Sequence, residues 1–163
     1  MKKITFTFLL SVLLFTVTAQ NKAIKYNDIR INGLLLNSSK SSIIKQFGNP
    51  QKVYEPHYEC GFLSGEEEGR KVYCLQYPAL LFTGNDKEKY WLEHIYFNKG
   101  RSFQVTYQGN PLSALTTIKA FETIFKARVV NNEIYLYVPG TDDKLIVTFK
   151  KGLLFEIEYW SPC

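Results

Sequence analysis

Two histidines, three cysteines and a few acidic groups hold most of the reactive chemistry in this sequence. His57 stands in Pro56-His57-Tyr58, and His94 follows Glu93 inside an apolar run. No His-Glu-x-x-His pattern occurs, so the helical zinc-protease site is excluded. His57, Cys60 and Cys74 are donor types that suit zinc, but oxidation of Cys60 and Cys74 to a disulfide would remove two of them. Cys163 with a histidine has the composition of a nucleophilic pair. It follows Ser161-Pro162, however, without a packed shell to orient it. Glu156 and Glu158 sit at i and i+2 with Trp160 on one strand face, whereas glycosidase carboxylates face each other across a cleft. Glu66, Glu67 and Glu68 make the densest acidic cluster, and no glycine-rich phosphate loop is present. These residues point to no catalytic set, no resident metal and no cofactor, so the chain reads as a protein that is not an enzyme.

The N-terminus reads as an address. Lys2 and Lys3 precede an apolar run from Ile4 to Val17, and Val17-Thr18-Ala19 supplies the small residues of a cleavage site. The run is shorter than the roughly 20 apolar residues of a membrane span. Residues 1–19 are therefore expected to be a signal peptide, leaving residues 20–163 as one domain. Gln20, not Cys, follows the expected cleavage site, so the protein is expected to be exported, periplasmic or extracellular, and not a lipoprotein. Losing Lys2 and Lys3 lowers the net charge from +5 to +3. No block of five like charges occurs, so nucleic acid is not the expected partner. No second apolar run is long enough to cross a membrane. An exported chain meets oxidising conditions, and its three cysteines allow three single pairings. Cys60–Cys74 is the expected bridge, stapling a hairpin base for about 3 kcal/mol in the chain-entropy view.

Periodicity places the elements. Ser39 is the expected cap of a helix carrying Ile43, Ile44 and Phe47, stopped by Gly48 and Pro50. Strands are expected within Gln51–Cys60, Lys71–Phe82 and Tyr90–Phe97. Phe103–Tyr107 is a short strand, with a turn at Gly109-Asn110-Pro111. A second helix, capped by Thr116, carries Ile118, Phe121, Ile124 and Phe125. Strands follow at Ala127–Val130, Glu133–Val138, Lys144–Phe149 and Leu153–Trp160. The last three alternate in hydrophobicity, with Ile134, Leu136, Leu145, Val147, Phe155 and Ile157 on one face. The opposite face carries Tyr135, Tyr137, Ile146, Glu156, Glu158 and Trp160. The expected fold is α+β: two tandem strand-helix-antiparallel-strand units, about 26–100 and 101–163, with helices packed on one face of an antiparallel sheet.

From Gly33-Leu34-Leu35-Leu36-Asn37-Ser38-Ser39 through Ile43-Ile44-Lys45-Gln46-Phe47-Gly48-Asn49-Pro50, the chain resembles the beta-lactamase-inhibitor-protein-like superfamily. The small outer-membrane-assembly lipoproteins share that short helix and its Gly-x-Pro stop before an antiparallel sheet. The tandem arrangement looks most like the inhibitor proteins, in which a cystine also staples a hairpin. The resemblance implies a binding module without catalytic activity.

The functional expectation is an exported module that binds another protein by occlusion or scaffolding, as an inhibitor, immunity protein or envelope assembly factor. Tyr135, Tyr137 and Trp160 are its expected anchors, because such rings give large contact area at little entropy cost. Glu156 and Glu158 share their face, and Glu66, Glu67 and Glu68 form a second candidate contact. The alternative is a small ligand held in a crevice between the two units.

Overall fold

The structure, a computed structural model, describes residues 22–56, 69–98 and 103–162. The expected leader and its cleavage site, together with His57, Cys60, Glu66, Glu67, Glu68 and Cys163, lie outside the described residues, and so does any pairing that involves Cys60 or Cys163. The elements run β1 (Lys22–Ala23), β2 (Ile29–Ile31), β3 (Leu34–Leu35), β4 (Asn37–Ser38), α1 (Lys40–Phe47), β5 (Lys52–Tyr54), β6 (Tyr73–Gln76), β7 (Leu80–Gly84) and β8 (Tyr90–Tyr96). They continue as β9 (Val105–Tyr107), β10 (Asn110–Leu112), α2 (Ile118–Phe125), β11 (Glu133–Tyr137), β12 (Lys144–Lys150) and β13 (Leu153–Trp160).

The expected α+β fold of two tandem units, with helices covering a sheet, does not hold. The described residues are mostly antiparallel strand in two sheets, and each α-helix among them has only eight residues. The nine-stranded sheet runs β1-β11-β12-β13-β8-β7-β6-β5, with β4 beside β8. The four-stranded sheet runs β10-β9-β2-β3. The physical reason is strand exchange between the two halves of the chain. Asn32-Gly33 and Gln108-Gly109 each turn with both residues at positive φ, which closes the hairpins β2–β3 and β9–β10. Those hairpins then pair with each other, Ile29 opposite Tyr107 and Ile31 opposite Val105. β1 crosses to the far half and lies parallel to β11.

Local rules explain the helices. Ser39 Oγ accepts from Ser42 N–H at 3.2 Å, and Gly48 ends α1 at φ 78°. The Tyr77 hydroxyl donates to the Gly48 carbonyl at 2.9 Å and ties that end to the sheet. α2 is capped by Thr117, one residue later than expected, through its Oγ1 and the Ala120 N–H. Thr116 Oγ1 instead accepts from Ser113 N–H. The expected Ala127–Val130 strand reduces to a single bridge from Val130 to Glu133, and the expected turn residues Asn110 and Pro111 begin β10.

One buried cluster draws on both sheets and both helices: Ile29 and Val105 from the small sheet, Ile43 and Phe121 from the helices, and Phe82, Ile95, Leu136, Val147 and Ile157 from the large one. Phe121 stacks on Phe125 at 4.1 Å and meets the Phe149 ring edge-on at 5.2 Å. Gly84 marks a close approach, because a Cβ there would run into the Lys89 carbonyl and lie 2.6 Å from Tyr90 Cα. Phe121→Ala should cost about 3–5 kcal/mol by opening a cavity. Gly84→Ala should cost about 1–3 kcal/mol by forcing β7 from β8. Urea unfolding midpoints check both, and a wild-type midpoint for Gly84→Ala would contradict the close approach.

Candidate functional site

The outer face of the large sheet, opposite the core, collects the polar and aromatic side chains. β13 runs beside β8 with Glu156 opposite Tyr96, Ile157 opposite Ile95 and Glu158 opposite His94. Ile95 and Ile157 point into the core, so their neighbours along each strand point outward.

Two irregularities fall at this seam. Between β7 and β8, Leu81 faces His94 and Phe82 faces Leu92, leaving Glu93 as an extra residue. Between β12 and β13, Thr148 faces Glu156 and Phe149 faces Leu154, leaving Phe155 extra. Each is a β-bulge, which brings two successive side chains to the same face. Leu92 and Ile95 are therefore both buried while Glu93 and His94 both turn outward. In β13 the bulge buries Leu154 and Ile157 and leaves Phe155 half-buried under the Lys150 ammonium, 3.4 Å from the ring centre. The expected core position of Phe155 is thus taken by Leu154.

The result is a compact acidic cluster around one imidazole. His94 Nδ1 lies 2.9 Å from Glu156 Oε1, and Nε2 lies 3.7 Å from Glu93 Oε1. The Tyr96 ring stacks on His94 at 5.5 Å, with 4° between the planes. Glu93 accepts from the Thr83 hydroxyl, which itself lies 3.3 Å from the buried Cys74 Sγ. One ligand atom from each of His94, Glu156 and Glu158 falls within 4.8 Å of the others. The side chains of Glu93, His94 and Glu156 are only 12%, 18% and 19% exposed, so their charges are poorly screened by water. Burial, together with Glu156, Glu93 and Glu133, raises the Glu158 carboxyl above the usual carboxylate range, with His94 pulling the other way.

The aromatic residues lie at the end of the same face. Tyr135 and Trp160 are 39% and 38% exposed, among the most exposed large apolar side chains described. Lys144 bridges them, its ammonium 4.7 Å from the Tyr135 ring centre and 4.0 Å from that of Trp160. Tyr135 also hydrogen-bonds Glu133, which raises its phenol. Tyr137 is half-buried and faces Lys144 across the strands. The structure thus brings five expected residues to one face: Tyr135, Tyr137, Glu156, Glu158 and Trp160. The centre, His94 with Glu93, was not expected; its signal was an adjacent Glu-His pair inside an otherwise apolar strand. A separate cleft of about 370 Å³ lies between the start of α1 and the β7–β8 turn, lined by Ser39, Lys40, Ile44, Asp86 and Lys89. It belongs to one half of the chain and not to a crevice between halves.

No family model, curated protein or solved structure matches this chain. Among the described residues, no helix is long and apolar enough to cross a membrane.

Three carboxylates beside one imidazole are crowded, which sets opposite expectations for two variants in metal-free neutral buffer. Glu158→Gln should be at least as stable as wild type, because it relieves like-charge crowding. His94→Gln should lose about 1–2 kcal/mol, because it removes both the Tyr96 stack and the Glu156 contact. Denaturation midpoints check the pair, and the reverse order would contradict the cluster.

Proposed function

We propose that the protein is an exported, non-catalytic module that binds another protein through the outer face of its large sheet. The observation that carries this reading is the exposed pair Tyr135 and Trp160, held by Lys144 beside a half-buried acidic cluster on one rigid sheet. Large rings fixed in place lose little entropy on contact and are the usual anchors of interfaces. Binding of this kind acts by occlusion or scaffolding, as in an inhibitor, an immunity protein or an envelope assembly factor. The signal-peptide pattern at residues 1–19 supports the same reading. Export puts the partner in the periplasm or the medium.

The test is affinity capture from envelope and culture-medium extracts, with wild type and a Tyr135→Ala/Trp160→Ala double variant as parallel baits. A partner retained by wild type and displaced by untagged protein should bind the folded double variant at least about 30-fold more weakly, the scale of a lost hot spot. Equal retention by both baits would place the interface elsewhere.

A further inference from the structure

We propose that His94, Glu156 and Glu158 form a binding site for one divalent transition-metal ion of the zinc class, on the outer face at the seam between β8 and β13. The donor set is one imidazole nitrogen and two carboxylate oxygens, which suits such an ion better than calcium or magnesium with their all-oxygen shells. Zinc holds nitrogen and oxygen ligands at about 2.0–2.2 Å, so its ligands lie roughly 3–3.5 Å from one another. His94 Nδ1 and Glu156 Oε1 already stand 2.9 Å apart, and the Glu158 oxygen completes a group within 4.8 Å.

The surrounding residues are arranged as supports for ligands. A metal-bound histidine usually turns its other ring nitrogen to a carboxylate, which fixes the tautomer. Here Nε2 faces Glu93 at 3.7 Å, and Glu93 is itself held by the Thr83 hydroxyl. Nδ1, which hydrogen-bonds Glu156 at 2.9 Å, exchanges that contact for the ion when it binds. Tyr96 lies opposite Glu156 in the ladder and stacks on the His94 ring, which fixes the ring plane. The charge balance agrees with the geometry. The charged groups acting on Glu158 are His94, Glu156, Glu93 and Glu133, three carboxylates against one imidazole. A divalent cation neutralises that excess. The backbone beneath is paired sheet, with both bulges in place before any ion arrives. Three protein ligands leave a fourth position that water would fill.

The experiment is calorimetric titration of the EDTA-stripped, purified protein with Zn²⁺, with Ca²⁺ as the comparison ion and unfolding temperature as a second readout. The expected result is one Zn²⁺ per chain, a saturable rise in unfolding temperature, and weaker binding of Ca²⁺. His94→Gln and Glu158→Gln should each weaken Zn²⁺ by more than about 100-fold while remaining folded, and Glu93→Gln by about 10-fold, the scale of a lost supporting contact. His57→Gln should bind as wild type. Absence of saturable Zn²⁺ binding, a preference for Ca²⁺, unchanged affinity in folded His94→Gln and Glu158→Gln, or loss of binding in His57→Gln would each overturn the site.

Discussion

The pairing of β13 with β8 is the interaction on which the rest of the structure depends. It joins the β5–β8 meander to the β11–β13 meander as one sheet, with Ile95 and Ile157 buried side by side beneath it. The Phe97 N–H continues the ladder to the Phe155 carbonyl at 3.0 Å. On the outer surface the same register sets His94 against Glu158 and Tyr96 against Glu156. A slip of one residue would send every one of these side chains to the other face. The seam therefore fixes the core and the acidic cluster together. Carboxylates crowded at half-burial oppose stability, and natural proteins keep such conflicts mainly where function uses them.

How far this could be read from the sequence depended on parity. Where strands run without interruption, alternation alone assigned the faces: Ile134 and Leu136 inward, Tyr135 and Tyr137 outward, Glu156 and Glu158 outward. Where a bulge inserts a residue, the period of two breaks and the reading fails beyond it. Tyr90, His94 and Tyr96 share parity by count, yet Tyr90 is fully buried while His94 and Tyr96 lie outside, because Glu93 is extra. Phe155 and Leu154 exchanged expected roles for the same reason. A bulge has no strong residue signature, so the sequence does not mark His94 as the centre of the face.

The fold class is hidden from local patterns for a different reason. Local signals place both helix caps to within one residue. What they could not carry was which hairpin meets which. The pairing of Ile29 with Tyr107 and that of Lys22 with Leu136 join distant parts of the chain, and no periodicity encodes them. Those long-range pairings turn two apparent repeats into interlocked halves around one core. They also make the outer face rigid, since its strands come from both halves and neither can shift alone. Rigidity of that kind suits a surface whose aromatic and acidic groups work from fixed positions.

Residue-resolved amide hydrogen exchange under native conditions tests this account most directly. If the seam holds the protein together, the amides of Ile95, Phe97 and Ile157 exchange only through global unfolding, with the same free energy as the cores of β7 and β12. Exchange of β11–β13 as a separate unit at markedly lower free energy, while β6–β8 stay protected, would contradict it. In that event the halves are joined weakly, and the cluster of His94, Glu156 and Glu158 is not a preformed site.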